Sequence, residues 1–121
     1  MREIKSLEEA LKVTGRPSVT SFYDVPEDLR EYFQNQYKAI VITEAINKGW
    51  KADWSDTDQE KWLPVFKVDG AAPSGFVFDY SNYYCSLARA GSASRLCFES
   101  ESAADFAGIN FTEIFVNIIL K

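Results

Sequence analysis

Apolar positions recur along this chain with two periods, and the change from one to the other divides it. Leu7, Ala10, Leu11 and Val13 form one side of a short helix that Ser6-Leu7-Glu8-Glu9 opens as a capping box. In that motif the serine hydroxyl accepts a third-position amide and the glutamate reaches back. Gly15 and Pro17 end it. Arg16 to Tyr23 reads as a surface connection anchored by Val19, Phe22 and Tyr23. In the longer helix that follows, Asp24 is placed to cap, Pro26 suits the first turn, and Glu27 and Asp28 suit the positive end of the dipole. Leu29, Phe33, Tyr37, Ile40, Val41 and Ala45 then recur at the spacing of one helical face, broadened by Tyr32, Ile42 and Ile46, until Gly49 stops the helix.

Further on the period shortens. Leu63 to Val68, Phe76 to Tyr80, Tyr83 to Ala88 and Arg95 to Glu99 read as strands. Turn chemistry separates them at Asp69-Gly70 with Pro73-Ser74-Gly75, at Ser81-Asn82 and at Gly91-Ser92. Pro64 puts the first strand at an edge or starts it one residue later. A turn between Ser81 and Asn82 sets Phe78 opposite Cys85 and Phe76 opposite Leu87, on one buried face with Phe66 and Val68. Leu96 and Phe98 join that face when Phe98 opposes Cys85, which turns Cys97 away and argues against a Cys85–Cys97 disulfide. From Ser100 or Ser102 to the end, Ala104, Ala107, Gly108, Phe111, Ile114, Phe115, Ile118 and Ile119 mark one last helix that covers a sheet face. The expectation is an α+β fold: an antiparallel meander of about four strands packed against two long helices, plus a short N-terminal helix, in one domain over residues 1–121.

Between the helical and the strand patterns lies Gly49 to Phe66, GWKADWSDTDQEKWLPVF. It holds all three tryptophans, Trp50, Trp54 and Trp62, among Asp53, Asp56, Asp58 and Glu60. A connector with this much apolar area packs or binds, and the indoles are expected to tuck beneath the sheet. Alternating oxygen ligands suit calcium, but the central glycine and distal glutamate of an EF-hand are missing. Ser55, Asp56 or Thr57 serves better as the cap of a short helical turn, Asp58 to Lys61. No metal and no cofactor is assigned.

Composition narrows the chemistry. Hydrophobic residues make up 46% and aromatics 15% of the 121 residues, the balance of a chain that buries a core. Thirteen basic against eighteen acidic residues give a charge of −5, which opposes phosphate polymers and anionic lipid. Arg2 with Lys5, Lys48 with Lys51, and Arg89 with Arg95 are scattered along the chain. The absence of histidine removes the usual general base, zinc ligand and pH switch together. Ser92, Ser94, Cys85 and Cys97 therefore lack the usual activating base, and Gly70 to Gly75 lacks the lysine of a phosphate-binding loop. Asp53, Asp56, Asp58 and Asp79 are carboxylates by type, as a hydrolase needs, but no pairing is legible. No catalytic residue is assigned. The start, MREIKSLEEA, lacks the apolar core of a signal peptide, no stretch has a bilayer-spanning run, and the two cysteines suit a reducing compartment. A cytoplasmic setting without a membrane partner is the expectation.

The candidate binding residues are Trp50, Trp54, Asp56 and Trp62 of the connector, and Tyr80, Tyr83 and Tyr84 with Arg89 and Arg95. The first group suits contact with another protein. The second could form a platform that stacks single-stranded bases, a reading the net charge disfavours. Ile4 to Ala10, Tyr37 to Trp54 (YKAIVITEAINKGWKADW), Pro73 to Phe76 and Ser94 to Ser100 resemble a family of short uncharacterised proteins encoded by gut Bacteroidales, their phages and prophages. The resemblance implies a phage or prophage context in a bacterial host and brings no catalytic residues. A non-catalytic protein-binding accessory protein is the leading expectation, single-strand nucleic-acid binding the second, and a carboxylate hydrolase the third.

Overall fold

The computed structural model describes residues 1–73, 75–84 and 94–120. Helix α1 (Leu7–Thr14) begins at Ser6, whose hydroxyl accepts the Glu9 N–H at 3.1 Å, and ends at Gly15 in the left-handed region. The Glu9 carboxylate reaches back one residue beyond the capping box, to the Lys5 N–H at 2.9 Å. Helix α2 (Glu27–Asn47) starts at Pro26 with no side-chain cap, so the expected Asp24 cap is not made. Proline has no N–H and its φ is already fixed, so it opens the helix unaided. The apolar face of α2 divides. Val41, Ile42, Ala45 and Ile46 are buried, whereas Leu29 and Phe33 lie in the exposed half that extends past the core.

Among the described residues, two strands stand where a meander of about four was expected. They are β1 (Lys61–Val68) and β2 (Phe76–Tyr84), antiparallel and joined through Asp69–Gly75, where the Asp69 N–H donates to the Gly75 carbonyl at 2.9 Å. The predicted Ser81-Asn82 turn is not made. Ser81 pairs with Pro64 inside the ladder, and its hydroxyl lies 2.6 Å from Asp105 Oδ1 on the helix above. This half-buried partner holds a turn-type residue in extended backbone. Phe78 accordingly opposes Phe66 and Phe76 opposes Val68, not Cys85 and Leu87, and Asp79 is the extra residue of a bulge. Cys85 to Ala88, Arg89, the Gly91-Ser92 turn and the Cys85 half of the disulfide question lie outside the described residues.

The fourth expected strand, Arg95 to Glu99, is instead a 3-10 turn (Ser94–Leu96) and one bridge, in which Trp62 and Phe98 exchange backbone hydrogen bonds of 2.9 and 2.8 Å. Those bonds turn the Trp62 amide away from β2. Pro64, two residues on, therefore aims its missing N–H at the same outer side, where a strand interior tolerates proline. Val68, expected on the buried face, is 77% exposed beside the hairpin loop, and Cys97, expected to point away from the core, is buried between α2 and the sheet bridge.

The single last helix is two: α3 (Glu101–Asn110), capped by Ser100, and α4 (Thr112–Leu120). Phe111 breaks them at φ −127°. Thr112 Oγ1 donates to the Gly108 carbonyl at 2.6 Å and Asn110 Nδ2 to that of Phe106 at 2.9 Å, so side chains compete for carbonyls around the break. Helix α3 lies over both strands, α4 against α2 and β2, and α1 against α2. Gly108 faces the sheet. A Cβ there would meet the Phe78 ring, and Pro64 Cβ at 2.9 Å, so only glycine allows this approach. Phe98, Ile4, Ile42, Ile46, Val41 and Val116 are the largest fully buried side chains, each worth roughly 1.5–3 kcal/mol of transfer free energy. Among the described residues no helix is long and apolar enough to cross a membrane.

Candidate functional site

The chain makes a sharp exit from α2. Lys48 and Gly49 both take positive φ, 51° and 90°, and the Lys48 N–H returns to the Glu44 carbonyl at 3.2 Å. The Trp50 N–H then bonds the Asn47 carbonyl at 3.1 Å, and the Arg2 N–H takes the Ile46 carbonyl at 2.9 Å. Terminal carbonyls of the helix are satisfied in this way, and the connector is folded back across the end of α2.

A cleft of about 810 Å³ results. Thr43, Asn47 and Cys97, all buried, form its floor, and the half-buried Trp50 and Trp54 contribute indoles. Arg2, Arg16, Lys48, Lys51 and Arg95 supply cations, with Glu44 among them. Arg16 grips Glu44 with both ends of its fork, Nε to Oε2 at 2.9 Å and Nη2 to Oε1 at 2.7 Å, and this carboxylate raises the guanidinium pKa further. Arg95 Nη2 stands 3.9 Å from the same Oε1 on a mostly exposed side chain. Burial pushes the Cys97 thiol up to about 11, which leaves it protonated and a poor nucleophile at neutral pH.

The acidic connector is wired to itself. Asp53 Oδ1 accepts the Ser55 hydroxyl at 2.6 Å and its N–H at 3.0 Å, bonds that hold its carboxyl below the usual range. Asp56 Oδ1 accepts the Asp58 N–H at 3.0 Å. These two turns replace the expected helical turn Asp58 to Lys61, and Lys61 already belongs to β1. Lys61 is only 3% exposed. Its ammonium donates to the Asp56 and Gln59 carbonyls, each at 3.0 Å, and lies 5.0 Å from the Trp54 ring centre. Among the described residues, no three His, Cys, Asp or Glu side chains converge as ligands for a metal.

Trp50, Trp54 and Arg95 thus share the cleft. Asp56 is engaged in the connector's own turns. Trp62, expected beneath a four-stranded layer with the other indoles, sits in β1, 4.8 Å from the ring of its cross-strand partner Tyr83. Tyr80 and Tyr83 are both exposed, but strand alternation sets them on opposite faces. The Tyr84 side chain and Arg89 lie outside what is described. Arg2, Arg16, Glu44, Asn47, Lys48 and Lys51 were not legible as a site, because four separate segments bring the cations together. Their local signal was the helix stop at Lys48-Gly49 alone.

Comparison with protein-family models, with curated proteins and with solved structures finds no match for this chain.

Proposed function

We propose that this chain is a non-catalytic binding module that acts by contact with another protein and holds an acidic segment of it in the cleft at the end of α2. The observation that carries this reading is charge segregation. Five of the thirteen basic residues line the cleft beside one of the eighteen acidic ones, so a chain of negative net charge offers a local seat for a short anion. The dipole of α2 is a weaker explanation for the cluster. Its field fades within the last turn, and Arg2, Arg16, Lys51 and Arg95 come from other segments. Trp50 and Trp54 add apolar surface of the kind that anchors interfaces.

Single-stranded nucleic acid is the lesser reading. It draws on the same cations, but the net charge repels a polymer of phosphates, and Tyr80 and Tyr83 do not share a stacking face. The segments that resemble phage and prophage proteins favour an accessory role in the cytoplasm of a bacterial host.

Titration of tryptophan emission with an acetylated tetrapeptide of alternating glutamate and aspartate tests the proposal. A saturable change at low salt is expected, weakened about tenfold in the double variant Arg16→Ala, Arg95→Ala. A flat titration would end the proposal, and a saturable response to an oligonucleotide alone would replace it with the nucleic-acid reading.

A further inference from the structure

Asn47 is the last residue of α2, lines the cleft and is 5% exposed. Its Nδ2 donates to the Cys97 carbonyl at 2.9 Å, which orients the amide and defines Oδ1 as the remaining polar atom. Oδ1 is buried, and no donor among the described residues reaches it. A bare acceptor in a lining otherwise rich in cations is selective. Sulfate and fully ionised phosphate bring only acceptors, so they satisfy the arginines and leave Oδ1 unmatched. An acidic peptide residue brings both parts at once, a carboxylate and, a few bonds away, a main-chain N–H.

Arg95 and Asn47 line the same cleft. Arg16 is held in its fork by Glu44, whereas Arg95 presents a mostly exposed guanidinium two residues before the Cys97 carbonyl that anchors Asn47. We propose, resting on the acidic-segment reading above, that Asn47 Oδ1 accepts the main-chain N–H of the acidic residue whose carboxylate meets Arg95. The cleft then reads a peptide carboxylate rather than negative charge as such.

Changing the ligand tests this without disturbing the fold. The acetylated tetrapeptide is compared with analogues in which one main-chain amide at a time is an ester, which removes an N–H and keeps the charge. One ester position is expected to weaken binding about tenfold and the others less than about twofold. In the ¹⁵N-labelled protein, the Asn47 side-chain resonances are expected to shift with the amide peptide and to shift less with that one ester. Equal binding of all esters would overturn the inference while leaving the acidic-segment reading intact. Equal competition by inorganic sulfate would do the same. Failure of the parent peptide to bind would remove both.

Discussion

Where α3 crosses the sheet, Gly108 lies so near Phe78 and Pro64 that a Cβ has no room, whereas off the end of α2 Asn47 and two indoles line a cleft of about 810 Å³. The first region is apolar and closed. The second gathers cations, amide and indole around space. Both are made by chain that leaves or meets a helix abruptly, yet only the first can contribute much to stability, because close packing rewards every buried methylene while exposed ion pairs are worth little. On the proposed function, stability and recognition rest on different regions of the same architecture. Substitutions should separate them.

The largest effect is expected at Gly108→Val, which drives two methyl groups toward the Phe78 ring and Pro64. A loss of about 3 kcal/mol by urea denaturation follows from overpacking of this kind. Arg16→Ala, in the cleft, should leave the stability read by the same assay nearly unchanged. Equal losses would erase the distinction between the two regions.

A smaller effect is expected at alkaline pH. Cys97 is raised from the ordinary thiol value of 9.0 to about 11, so the folded chain keeps a proton that the unfolded chain releases. Its contribution is complete below about pH 9 and is lost as pH rises toward about 11. In a Cys85→Ser background, the stability difference between Cys97 and Cys97→Ala should therefore shrink across that interval. A difference that stays constant would place the thiol in a more polar setting.

The legible parts of this molecule are those decided within a few residues. Ser6 caps α1, Gly15 ends it, and Asp69 to Gly75 turns the chain, because the partners of these groups are close in sequence. Ser81 carries a turn signal yet lies in a strand, since its half-buried partner, Asp105, is on a distant helix and a local signal cannot register that bond. The unbroken last helix failed for a related reason: its apolar stripe continues past Phe111, while the backbone does not. The connector is legible by its indoles and acids, whereas the neighbouring cations carry no local pattern. Arg2, Arg16, Lys48, Lys51 and Arg95 look scattered along the sequence because the end of α2 is what collects them.

The most direct test of that collection is a map of backbone amide shifts in the ¹⁵N-labelled protein as the acidic tetrapeptide is added. The account predicts saturating shifts confined to Arg16, Asn47 to Trp54 and Arg95 to Cys97. Shifts centred on Tyr80 to Tyr83, or on the exposed start of α2 around Leu29 and Phe33, would contradict it.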